Sequence, residues 1–183
     1  MTRKVAYLGV MAALSIVLVL LIRIPLFPTA DFLEYDPADI PILITTFVVG
    51  PGGGLLLTVV VSVIQGLTVS AKSGLYGILM HVIATGSYVL VAGLIYRRFP
   101  CRKGAGVALI SGGLAMTAVM LGANLIITPL FTGWPVSAIQ PMLLPVFMPF
   151  NLLKAFINAV PTFLLYNTAT QFYHQKTKGA LTN

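Results

Sequence analysis

Charge is scarce in this sequence. Lysine, arginine, aspartate and glutamate together supply 8% of 183 residues, against 58% that are hydrophobic, and the mean hydropathy is +0.98. That composition excludes a water-soluble globular domain and marks an integral membrane protein. Cysteine is almost absent too. Cys101 stands alone, so no internal disulfide can form, and without a neighbouring thiol it reads as a loop residue with no metal or redox work. Acids number four against eleven Lys and Arg, for a net charge of +7. Such an excess suggests nucleic acid only if it is spread over a soluble surface. A phosphate loop, G-x-x-x-x-G-K-[ST], is missing: Gly52, Gly53 and Gly54 lack the Lys and hydroxyl it needs, so the chain cannot be its own ATPase. No Ser-His-acid or paired-carboxylate set shares one depth, which speaks against an enzyme and leaves no catalytic residue to name.

What is present is a series of apolar stretches, at about 5–22, 37–50, 55–70, 75–96, 106–127 and 146–172, divided by turn residues. The expected fold is all-α, a single membrane domain over 1–183 with six transmembrane helices. The first stretch makes about 27 Å of helix and the second only about 21 Å. Pro51-Gly52-Gly53-Gly54 reads as the turn between the second and third. The first stretch is longer than a secretory h-region, has no small-x-small cleavage site after it, and is followed by Arg23, so it reads as retained.

The basic residues orient these spans. Arg3 and Lys4 precede the first, Arg97, Arg98, Arg102 and Lys103 lie between the fourth and fifth, and Lys176 and Lys178 follow the sixth. Six passes put all three clusters on one side, the cytoplasmic one, with both termini. The acids Asp31, Glu34, Asp36 and Asp39 fall in or beside the first external loop. The positive charge is therefore a topology signal, and nucleic-acid binding is not expected. Asp36 before Pro37, with Asp39 three residues on, reads as a helix cap and a first-turn acid.

Depth then singles out polar residues. Asn151, Lys154 and Asn158 are spaced i, i+3, i+7 on one face of the sixth helix, one to three turns below the external surface. Asn124 lies near the external end of the fifth helix, His81 about 9 Å down from the external start of the fourth, and Gln65 a little over one turn from the external end of the third. A lysine among hydrocarbon costs about 2.5–3.5 kcal/mol on the lenient insertion scale, so this face should look into a wet cavity or a ligand. Snorkelling toward the headgroups accounts for Lys154 alone but not for the amides beside it. His81 has no second His or carboxylate at metal-ligand spacing, so no metal site is expected. Trp134, Phe131 and Tyr35 belong near the external interface, where Trp134 serves either an aromatic belt or stacking on a flat ligand. In the first helix, Gly9 and Ala13 form a small-xxx-small pair that serves either internal packing or the docking of another helix.

Four stretches carry a resemblance over nearly the whole chain: PFNLLK at 149–154, NLIITP at 124–129, DPADIP at 36–41 and GILMHVIATGSYV at 77–89. Together they resemble the riboflavin-specific substrate-binding (S) component of energy-coupling factor (ECF) vitamin transporters, the RibU family. The resemblance implies a multi-pass protein of a prokaryotic plasma membrane. It would capture riboflavin in an external pocket, without a cofactor, and deliver it when docked on an ECF module of a transmembrane coupling protein and two ATPases, which alone use ATP. It further implies that Asn124, Asn151 and Lys154 contact the flavin and that Gly9 and Ala13 form the docking motif. His81 stands where the family pattern implies Asn, which leaves its contact open. Riboflavin is neutral, so the expectation is that hydrogen bonds, with no counter-ion, hold Lys154. An S component for pantothenate or folate, or an autonomous secondary carrier, remains an alternative.

Overall fold

Helix propagation in this chain stops at few places, each with a visible local cause. The computed structural model describes residues 2–27, 30 and 32–178; Asp31 lies outside the described residues. Helix α1 spans Thr2–Leu21, α2 Asp39–Val49, α3 Pro51–Leu67, α4 Gly74–Arg98 and α5 Arg102–Thr132. A four-residue helix α6, Val136–Ile139, a tight 3-10 turn at Gln140–Met142 and a wider π-helical turn at Leu143–Phe147 lead into α7, Met148–Lys178. The protein is thus mostly helical. Among the described residues its one extended element is the antiparallel pair β1 (Ile24–Pro25) and β2 (Glu34–Tyr35), with Ile24 opposite Tyr35 and Pro25 opposite Glu34.

Three boundaries differ from the expected ones. The turn after α2 is Gly50 alone, at φ +102°, and Pro51 to Gly54 already form the first turn of α3. Proline suits a first helical position because its missing N–H would have no partner there, and Gly50 takes the backbone conformation that side chains avoid. Helix α5 runs through Pro129 and ends at Gly133, φ +74°, a left-handed C-cap. It is opened by Cys101, whose sulfur accepts from Gly104 N at 3.3 Å; the residue read as a bland loop position is a helix cap. Finally α7 continues to Lys178, so Lys176 and Lys178 sit in its last turns.

Among the described residues four segments are long and apolar enough to cross a membrane: Arg3–Leu21, Gly74–Arg98, Arg102–Thr132 and Val136–Tyr173. Helices α2 and α3 are shorter apolar helices that fold back on each other at Gly50 and pack against α1, α4 and α7. Helices α4 and α5 make the most extensive contact, permitted by glycine. A Cβ on Gly112 would stand 2.6 Å from the ring of Tyr88, a side chain only 1% exposed.

One end of the bundle is sealed. Phe47 meets Tyr96 at 4.4 Å and Tyr166 at 5.5 Å between ring centroids, and the Arg102 guanidinium lies over Phe163. Lys4 and Arg97 line one groove at this end, so the basic ends of α1 and α4 lie together. The opposite end is open.

Candidate functional site

The open end holds a cavity of about 150 Å³. It is framed by the C-terminal half of α3, the N-terminal half of α4, the C-terminal half of α5 and the start of α7. These halves carry Gln65, His81, Asn151 and Lys154, polar interruptions of apolar helices that the cavity brings together. Residues before α2 close over it: Phe32, Leu33, Glu34 and Asp36 are among the lining. Arg23 ties this segment down by pairing with Glu34 and donating to Val69 O at the end of α3.

Its lining combines polar side chains, among them Ser62, Gln65, His81, Asn151 and Lys154, with apolar and aromatic ones, among them Tyr76, Met80, Ile127, Phe131 and Phe150. Asn151 Nδ2 donates to Phe147 O at 2.7 Å, which fixes the amide. The oxygen of Gln65 is buried and has no hydrogen-bond partner, although the residue is only 8% exposed. An orphaned buried acceptor costs about 1–3 kcal/mol, so this atom is poised for a donor supplied from the cavity.

Asp36 and Lys154, both in the lining, belong to an ionic cluster. Lys154 Nζ is 3.1 Å from Asp36 Oδ2 and 3.7 Å from Asp39 Oδ2. Asn158 Nδ2 donates to Asp39 Oδ2 at 3.2 Å and to Asp36 O at 3.4 Å, while its Oδ1 accepts from the Tyr35 hydroxyl at 3.1 Å. Thr85 donates to Asp39 Oδ1 at 2.7 Å, and His81 Nε2 is 3.4 Å from that oxygen. The expectation that Lys154 has no counter-ion is overturned. A lysine 8% exposed cannot be left uncompensated in low dielectric, and two carboxylates meet it. The capping role of the acids survives in part: Asp36 Oδ1 accepts from Ala38 N at 3.1 Å. The residue before α2 is, however, Ala38 with no side-chain cap, and the second oxygen of Asp36 faces lysine.

Of the residues predicted from sequence, Lys154, Asn151, Gln65 and His81 line the cavity. Asn158 lies below it in the ionic cluster. Asn124 is fully buried behind Thr128: it donates to Met120 O at 2.7 Å and accepts from the Thr128 hydroxyl at 2.8 Å, and Thr128 does reach the cavity. Trp134 is 42% exposed and outside the lining, whereas Phe131, read only as part of a belt, is within it. Asp36, Asp39 and Ser62 were missed as site residues. The available signal was the placement of two acids three apart in a chain with four. Among the described residues no group of three His, Cys, Asp or Glu side chains could hold a metal.

On α1, Ala6, Gly9 and Ala13 are all exposed, and a Cβ on Gly9 would meet nothing within 4 Å. The small-residue stripe therefore faces outward and does not pack inside this chain.

Comparison with known proteins agrees with this architecture. A chain from a solved S component of a bacterial ECF transporter superposes with a TM-score of 0.81 at 24% identity, covering 93% of this chain and 97% of that one. The riboflavin transporter FmnP of Bacillus subtilis is 26% identical over 172 residues, 90% of each chain. The riboflavin transporter RibU of Lactococcus lactis subsp. cremoris is 26% identical over 202 residues, 94% of this chain and 98% of its own. Residues 3–166 match the family described as ECF transporter, substrate-specific component. With the family pattern running through all of the cavity-forming helices, the chain belongs to the substrate-specific components of ECF transporters.

Proposed function

We propose that this protein captures riboflavin in the cavity at the open end of the bundle and hands it inward while docked on an ECF module. The observation that carries the reading is the mixed lining of the cavity. A flat tricycle finds aromatic rings in Tyr76, Phe131 and Phe150, and its carbonyl and N–H edge, with the hydroxylated side chain, finds amides and an ammonium in Gln65, Asn151 and Lys154. The ion pairing of Lys154 suits a neutral ligand, because its charge is already compensated within the protein. Curated relatives at 26% identity and high coverage are riboflavin transporters, which supports this vitamin over pantothenate or folate.

In this reading α2 and α3 complete a six-pass topology in a prokaryotic plasma membrane. The sealed basic end, with both termini, is cytoplasmic, and the cavity opens outward. The exposed face of α1 around Gly9 and Ala13 takes the coupling protein, and two ATPases in that module supply the energy. Asn151, Lys154 and Gln65 contact the flavin directly, while Asn158 and Asn124 hold the walls and Trp134 sits at the outer rim.

Purified protein should be yellow, with a flavin absorption spectrum, and should bind riboflavin in preference to other vitamins in a competition panel. Colourless protein without micromolar flavin affinity, or uptake by liposomes holding this chain alone, would overturn the reading.

Gln65→Leu separates ligand contact from structure. Removing the orphaned oxygen should leave the ligand-free protein as stable as before or raise its melting temperature, while flavin affinity falls by about tenfold, the worth of one hydrogen bond. Thermal unfolding and fluorescence titration of the same variant measure the two effects.

A further inference from the structure

Among the described residues of α1 only Ser15 and Val19 are buried. Ser15 lies two positions after Ala13, about 200° around the helix, so it points into the bundle while the small-residue stripe faces out. A hydroxyl in an apolar helix commonly gives its proton to a carbonyl one turn back in the same helix. Thr46, Thr58, Thr117 and Thr162 do so, at 2.7 to 2.9 Å. Ser15 does not: its Oγ donates to Ala38 O at 3.0 Å, 23 positions on. Thr85 likewise sends its proton to another element, to Asp39 Oδ1. The two bonds meet at the start of α2, where the acids that hold Lys154 stand.

Ala38 is gripped at both of its backbone polar groups. Its carbonyl accepts from Ser15, and its N–H donates to Asp36 Oδ1 at 3.1 Å. Pro37, between Asp36 and Ala38, has a fixed φ and no N–H of its own, so this short turn has few ways to relax. The other oxygen of Asp36 holds Lys154 Nζ at 3.1 Å, and Lys154 lines the cavity. An unbroken run of three hydrogen bonds therefore leads from α1 to the ammonium of the cavity. Its intermediate members are hidden from solvent, with Ser15 and Ala38 0% exposed and Asp36 4%, so water is not at hand to replace a lost link.

We propose that Ser15 is a positioning residue for ligand binding: from outside the cavity it fixes Ala38, and through Ala38 the carboxylate of Asp36, so that Lys154 stays on Asp36 and keeps a donor for the ligand. Without the Ser15 hydroxyl, Ala38 is free to shift and the Asp36 carboxylate turns with the N–H that it accepts from. Lys154 Nζ then settles toward Asp39 Oδ2, which stands at 3.7 Å. Asp39 keeps its place meanwhile, because Thr85 and Asn158 also hold it. Affinity falls although no residue of the lining has changed. Helix α1 thus takes part in the site without touching the ligand.

The affinity arm of this inference rests on the flavin reading; a second arm needs the protein alone. In fluorescence titrations of the full-length chain in detergent, Ser15→Ala should raise the riboflavin Kd about tenfold, the worth of one hydrogen bond. Val19→Ala, which removes packing one turn further along the same face, should lower the melting temperature and leave Kd unchanged. In an Asp36→Asn background, Ser15→Ala should change Kd by less than about twofold, because the carboxylate it acts through is gone. The chain has three aspartates, Asp31, Asp36 and Asp39. With aspartate isotope-labelled at the side-chain carboxyl carbon, the magnetic resonance signal of Asp36 in ligand-free protein is the one that Asp36→Asn removes. That signal should move in Ser15→Ala and hold its place in Val19→Ala. Equal Kd changes in Ser15→Ala and Val19→Ala, the same Kd change with and without the Asp36 carboxylate, or an Asp36 signal that Ser15→Ala leaves in place would each overturn the proposal. Should the wild type bind no flavin, the vitamin reading falls and the carboxyl signal alone decides the positioning role.

Discussion

Lys154→Ala is expected to abolish flavin binding and to destabilise the protein at once. The ammonium is 3.1 Å from Asp36 and 3.7 Å from Asp39, and both acids are buried. Truncating one partner of a buried ion pair costs about 3–5 kcal/mol, because the charge left behind has neither water nor counter-ion. On top of this the ligand loses a charged donor, so Kd should rise by at least about 100-fold, equivalent to roughly 3 kcal/mol. The two effects can be separated. In the triple variant Lys154→Met, Asp36→Asn, Asp39→Asn the stranded charges are gone, so the melting temperature should recover most of the loss while binding stays absent. If Lys154→Ala keeps both its melting temperature and its affinity, the ionic cluster does not form as described.

Ala13→Phe should have the opposite profile: full flavin affinity and normal stability, but uptake in cells carrying the ECF module reduced to background. Ala13 and Gly9 present small side chains to the outside of α1, where close backbone approach by a partner helix depends on small residues. A phenyl ring on this exposed position stands in the way of any helix that docks. Riboflavin binding by the purified variant checks the first part and radiolabelled uptake the second. Uptake at wild-type rate would move the docking face elsewhere.

Much of this was readable before any coordinates, because the signals are local. Hydropathy marks helices that must satisfy their own backbone in lipid, so the long segments fell close to α1, α4, α5 and α7. The same logic found Lys154, Asn151, Gln65 and His81, since a polar side chain interrupting an apolar run is conspicuous where it stands. Element ends were less legible at Pro51 and Pro129. Proline interrupts soluble helices, yet at a first position or in an apolar helix held by its neighbours it does not end them.

The sequence by itself determined that the chain lives in a membrane, roughly which residues form its helices, and which polar groups interrupt them. Tertiary structure alone decided how those groups are paired. Asp36 and Lys154 are 118 positions apart, and the local reading of Asp36 as a helix cap already accounted for an acid before a proline, so nothing nearby demanded a distant partner. The choice of Phe131 over Trp134 for the cavity wall has a similar cause, since which side of a helix faces inward depends on neighbours that adjacent sequence does not name. Burial makes the difference: only when the bundle excludes water does a lysine require its two carboxylates.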